Sequence, residues 1–125
     1  MAFGTFDLLH PGHINFLKQA KKYGALTVVI ARDITVKQVK GKLPLHNEKQ
    51  RQKAVQGLNL AYKVILGSLT DKYAAIKKYR PDIIALGYDQ KYFTDQLNEN
   101  FKKIKIIRLK PFQPHKYKTS IIKNK

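Results

Sequence analysis

Cysteine and tryptophan are both absent from this sequence of 125 residues. Without cysteine there is no disulfide, no thiolate metal site and no cysteine nucleophile. No run of about 18 apolar residues occurs, so no membrane-spanning helix is expected. A charged segment leading into an apolar one, the mark of a signal peptide, is also missing at the N-terminus. The cytoplasm is therefore the expected location, with no membrane partner. Acidic residues are scarce as well: eight Asp and Glu stand against 25 Lys and Arg, a formal net charge of +17.

A charge of that size attracts polyanions. Only four of the basic residues are arginine (Arg32, Arg51, Arg80, Arg108), and the lysines are spread along the whole chain. Phosphate forks and base-edge contacts lean on arginine. The pattern therefore reads as a solvated lysine-rich surface, and nucleic acid is not an expected partner. The length suits one domain with a real core, spanning residues 1–125.

What is present begins with Gly4-Thr5-Phe6-Asp7-Leu8-Leu9-His10-Pro11-Gly12-His13. Gly4 permits a tight turn, Pro11 prevents an earlier helix start, and Gly12 allows close approach of the backbone to a ligand. A helix beginning near Gly12 turns its free amides and positive dipole end toward the space that His10 and His13 face, an arrangement suited to phosphate. Zinc would need a further ligand, and His46 and His115 have no supporting spacing, so no metal site is expected. No serine nucleophile with a companion base is evident.

Apolar spacing predicts a helix over about Gly12 to Tyr23. Leu26–Ala31 reads as a strand buried on both faces of a parallel sheet, and Lys63–Gly67, Asp82–Gly87 and Lys105–Leu109 read as further strands. A first strand over Met1–Phe3 is shorter than the usual five or so residues. Either it is truncated or the native chain starts upstream of Met1. Thr35 to Leu45 reads as a basic loop or frayed helix. Asn47 with Gln50 forms a capping box for a helix through Arg51 and Val55 to about Gly57. Thr70 or Asp71 caps another helix ending at Arg80-Pro81. A further helix is expected over about Thr94 to Lys103, with a helical turn over Thr119 to Lys123.

This alternation implies an α/β fold, a Rossmann-like open parallel five-stranded sheet with helices on both faces. Ligands in such sheets bind beyond the carboxyl ends of the strands. The Gly4 turn, Arg32-Asp33, Gly67-Ser68 and Tyr88-Asp89-Gln90 all fall at that edge.

Residues 4–13 resemble the HxGH signature of the nucleotidyltransferase superfamily in its cytidylyltransferase-like branch. Ala31-Arg32-Asp33, the Lys37 to Pro44 loop, Gln50-Arg51, Ile65-Leu66-Gly67 and Pro81 to Gln90 are similar to archaeal-type FAD synthases, which move AMP from ATP to FMN. Glycerol-3-phosphate cytidylyltransferases share the signature, but a Trp commonly follows the loop aspartate where this chain has Gln90. The chain departs from FAD synthases in lacking cysteines near its C-terminus and in carrying Lys118 beside Tyr117 and Thr119.

The resemblance implies transfer of a nucleoside monophosphate from ATP or CTP to a phosphorylated acceptor. It implies His10 and His13 as phosphate donors, with a lysine from Lys37, Lys40 or Lys42; Lys40 is preferred for its place beside Gly41. Thr5, Phe6, Pro11 and Gly12 would meet the nucleotide. So would Asp89 at ribose or base, and Tyr117 and Thr119 at the phosphates. Arg51 would hold phosphate or form a surface ion pair. Mg²⁺ would arrive with the triphosphate, and a homodimer is implied. Two alternatives stay open: a CTP-dependent transferase acting on glycerol 3-phosphate, and a non-catalytic polyanion-binding module, for which the charge alone argues.

Overall fold

The computed structural model describes residues 1–87 and 101–110. Its core is a five-stranded sheet made of β1 (Ala2–Gly4), β2 (Thr27–Ile30), β3 (Lys63–Leu66), β4 (Ile83–Leu86) and β5 (Lys105–Arg108). The strands run in the order β3-β2-β1-β4-β5 and every pair is parallel. Between them lie α1 (Pro11–Lys21), α2 (Asp33–Lys40), α3 (Glu48–Gly57) and α4 (Ala74–Tyr79). No helix among the described residues is long and apolar enough to cross a membrane.

Alternation along the strands separates two apolar layers. Ala2, Val28, Ile30, Val64 and Ala85 face one side and meet Leu17 and Ala20 of α1 and Val55 of α3. Met1, Phe3, Val29, Ile84 and Leu86 face the other and meet Ile76 of α4. Helices therefore cover both faces, as the continuous β-branched runs imply.

The short first strand is the central one. Its register is fixed by Ala2 opposite Val28, Phe3 opposite Val29 and Gly4 opposite Ile30. Met1 lengthens the ladder, donating from its N-terminal nitrogen to the Ile83 carbonyl at 2.9 Å and accepting from the Ala85 amide at 2.9 Å. On the other flank the Ala31 amide donates to Gly4 O at 3.0 Å. Pairing on both edges lets three residues serve where about five are usual.

Four expectations are adjusted by the structure. Of the loop or frayed helix expected over Thr35 to Leu45, the part to Lys40 is helical and the helix starts earlier, at Asp33, with Val36 buried and Gly41 closing it at φ 85°. The β-branched residues Ile34, Thr35, Val36 and Val39 masked a helix that Gly41 terminates. Helix α4 begins at Ala74 rather than near Thr70 or Asp71. Ser68 Oγ instead accepts from the amides of Thr70 and Asp71, and Asp71 Oδ1 accepts from the Tyr73 amide, so the hydroxyl and carboxylate hold a turn ahead of the helix. Residues 101–103, the end of the helix expected from Thr94, are not helical. Helix α1 runs Pro11–Lys21 in place of Gly12 to Tyr23. The rest of that later helix and the turn over Thr119 to Lys123 lie outside the described residues.

Candidate active site

The carboxyl ends of the five strands open into a cavity of about 1030 Å³. Thr5, His10, His13, Arg32, Lys40 and Gly67 are among its lining. Three segments converge there: the turn after β1, the start of α1 and the end of α2.

The turn is unusual in its backbone. Left-handed φ falls on Phe6 and Leu8, both at 53°, and not on Gly4. Such values strain an L-residue and persist only where the surroundings enforce them. Phe6 is 5 % exposed, with its ring edge-on to His13 at 5.5 Å between centroids and beside Phe16 at 6.1 Å. Gly4 is glycine for space rather than for torsion, because a Cβ there would lie 2.6 Å from Cε2 of the Phe6 ring.

His10 is the N-cap of α1. Its Nδ1 accepts from the amides of Gly12 at 3.0 Å and His13 at 3.4 Å. A neutral ring whose Nδ1 accepts carries its proton on Nε2, which remains a donor for a ligand. A Cβ at residue 12 would come within 2.8 Å of His10 Cε1, so Gly12 makes room for this cap. Pro11 stands at the first helical position, where a missing amide costs nothing.

His13 stacks on His10, with centroids 3.8 Å apart and planes at 22°. Its Nδ1 is buried with no hydrogen-bond partner among the described residues. Burial, then the nearby His10 and Lys40, push its pKa down from 6.5 to about 4, against a smaller opposing pull from Asp7. The ring is therefore neutral at pH 7. The unfolded chain binds a proton here below about pH 6.5 and the folded chain only near 4. This residue's contribution to stability is thus full above 6.5 and declines as pH falls toward 4. Nitrogen-15 NMR of the free protein should show His13 titrating near pH 4. An unreactive ATP analogue should move that midpoint upward, because an adjacent anion favours the imidazolium. A midpoint near 6.5 in the free protein would mean that the ring is neither buried nor beside positive charge.

Of the three candidate lysines, Lys40 lines the cavity and Lys37 and Lys42 do not. Its Nζ donates to Thr5 Oγ1 at 3.3 Å, bringing the end of α2 across to the turn. Two stacked imidazoles, a helix start and a lysine thus surround a space sized for a nucleotide, all of them donors to an anion. A family model described as cytidylyltransferase-like matches residues 1–125. The chain belongs to the cytidylyltransferase-like family.

It is accordingly a nucleotidyltransferase. The chain is 44 % identical over 117 residues to the FAD synthase of Aciduliprofundum boonei, covering 90 % of this chain and 78 % of that protein. It is 49 % identical over 104 residues to the FAD synthase of Methanosarcina barkeri, covering 82 % and 73 % respectively. Among solved structures, the lipopolysaccharide core biosynthesis protein from Thermoplasma volcanium aligns at TM-score 0.83 and 40 % identity, over 90 % of this chain and 96 % of that one.

In this cytidylyltransferase-like chain Arg51 does not line the cavity. It is 1 % exposed, and its guanidinium donates to Asp33 Oδ1 at 2.7 Å, Thr5 O at 2.8 Å and His46 O at 3.0 Å. Neither a phosphate ligand nor a surface ion pair describes it: it is a buried tie between the turn, α2 and the loop before α3. Asp7 complements it. Its carboxylate accepts from the amides of Leu45 and His46 at 2.8 and 3.1 Å and pairs with the His46 ring at 3.3 Å. Burial opposes ionisation of Asp7, but these hydrogen bonds outweigh it and hold its pKa below the usual carboxylate value.

Sequence reasoning missed Asp7, whose partners lie 38 and 39 positions away, and the tie role of Arg51, which joins partners 46, 18 and 5 positions away. It missed Gln19 too, whose side chain donates to Lys110 O at 2.9 Å and accepts from the Lys110 amide at 3.1 Å, fixing the chain where it reaches the cavity rim. Asp89, Tyr117 and Thr119 lie outside the described residues. No group of three or more His, Asp or Glu able to hold a metal occurs among the described residues.

Proposed function

We propose that the protein is an FMN adenylyltransferase, converting ATP and FMN to FAD and pyrophosphate. The observation that carries this reading is the 42 to 49 % identity to three FAD synthases over most of the chain, together with a cavity whose donors suit a triphosphate. In the reaction an oxygen of the FMN phosphate, already ionised at neutral pH, attacks the α-phosphorus of ATP. A new P–O bond forms, the bond from the α-phosphorus to the bridging oxygen breaks, and pyrophosphate leaves with that electron pair. No general base is needed, so the protein's task is positioning and neutralisation of growing charge.

His10 Nε2 and the His13 ring donate to the α- and β-phosphates, and the start of α1 at Pro11 and Gly12 adds its amides. Lys40 swings from Thr5 Oγ1 to the phosphates when they arrive. Thr5 and Phe6 border the nucleotide, Asp89 takes ribose or base, and Tyr117 and Thr119 reach the phosphates. Mg²⁺ enters on the triphosphate as part of the substrate, keeping waters and phosphate oxygens as its ligands.

The test pairs ATP or CTP with FMN or glycerol 3-phosphate in the presence of Mg²⁺ and follows pyrophosphate. ATP with FMN should react fastest and yield FAD. Turnover confined to CTP and glycerol 3-phosphate would transfer the assignment to a cytidylyltransferase. Absence of pyrophosphate with every pair would overturn catalysis.

A further inference from the structure

The donors assigned so far gather around the turn after β1, yet the cavity extends past them over the ends of β2 and β3. Its lining there includes Arg32 after β2 and Leu69 after β3, and Val39 of α2 lines the same cavity. Val39 and Leu69 are large apolar side chains left 46 % and 60 % exposed. Arg32 is the N-cap residue of α2, two positions after the end of β2, and its side chain is held from two sides. Nε donates to Glu48 Oε2 at 2.9 Å and Nη1 donates to Gly67 O at 3.2 Å. Glu48 is fixed in turn, its other oxygen accepting from the Asp33 amide at 2.9 Å. Nη2 of Arg32 has no partner among the described residues, although the side chain is only 26 % exposed.

We propose that Arg32, with Val39 and Leu69, forms the acceptor subsite, binding a phosphate monoester that carries an apolar ring system. This assignment rests on the FMN reading above. A guanidinium locked in orientation by a carboxylate and a carbonyl presents its remaining N–H groups at little entropic cost, and planar donors of this kind match phosphate oxygens. The apolar walls give an aromatic ring a surface to leave water on. Lys40 is a poorer candidate for the acceptor phosphate because it sits at Thr5 and beside His13, where the α-phosphate is placed.

The experiment compares wild type, Arg32→Gln, Arg32→Lys and Glu48→Gln for binding of FMN and of riboflavin by flavin fluorescence, and for KM of each substrate. Wild type should prefer FMN to riboflavin. Arg32→Gln should lose about tenfold in FMN affinity with riboflavin affinity unchanged, raise KM for FMN by a similar factor, and change KM for ATP less than twofold. Arg32→Lys should recover part of the loss. Glu48→Gln, which weakens the lock on the guanidinium, should lower FMN affinity by a smaller factor than Arg32→Gln and leave riboflavin affinity unchanged. An unchanged preference in folded Arg32→Gln, or a loss that falls on ATP instead, overturns the assignment. If wild type uses glycerol 3-phosphate and no flavin, the FMN reading fails by itself, and the same comparison of acceptor and nucleotide KM decides the role of Arg32.

Discussion

Replacing His13 with alanine is expected to lower kcat for nucleotidyl transfer by about a hundredfold while leaving the melting temperature little changed, the cost typical of removing one preorganised donor to a developing oxyanion. The physical case begins with burial. A ring whose pKa has fallen to about 4 is neutral before substrate arrives, and its buried Nδ1 has no protein partner. A buried polar atom without a partner costs free energy in the free protein. The arriving triphosphate supplies negative oxygens to the part of the ring that lines the cavity and the charge on the α-phosphate grows toward the transition state, so the interaction strengthens as the reaction proceeds. That is the condition for lowering the barrier rather than merely binding substrate. The substitution should therefore act on kcat more than on KM for ATP. Because His10 still caps α1 through Nδ1, the helix should persist, and circular dichroism should match wild type. A kcat within threefold of wild type would remove the ring from the reaction.

The parts of this molecule legible in its sequence are those governed by local rules. The capping box of α3 is present as read, with Asn47 Oδ1 accepting from Gln50 and Gln50 Oε1 accepting from Asn47. The buried strands are where the β-branched runs place them, because a parallel sheet covered on both faces tolerates little else. The HxGH segment announced itself through two imidazoles, a proline and a glycine within four residues. What was hidden required the third dimension. Gly4 looked like a turn glycine, and only the Phe6 ring above it reveals a steric role. Helix α2 was disguised by lysines and β-branched residues whose cost is offset by burying Val36. Arg51 read as a phosphate ligand or a surface ion pair because its buried partners come from three separate segments.

Arg51→Ala should destabilise the fold by about 3 kcal/mol or more, as breaking a buried ion pair generally does, against a total stability of about 5–15 kcal/mol for a domain. Three acceptors lose their donor together: Asp33, the Thr5 carbonyl and the His46 carbonyl. The carbonyls are backbone groups of the segments that shape the site, so the loss is also conformational. Phe6 holds a left-handed φ immediately after Thr5, and releasing Thr5 O removes one of the restraints that keep it there. Chemical denaturation should show a lower midpoint with little change in slope, and activity should fall at temperatures where the variant is still folded. Arg51→Lys should recover only part of the stability, because one ammonium cannot reach three acceptors in three directions. Asp33→Asn combined with Arg51→Ala should cost less than the sum of the two single changes, reporting their coupling. A phosphate ligand would behave in the opposite way, raising KM for ATP with stability intact. If that pattern were measured, the guanidinium would have to leave its buried partners when nucleotide binds.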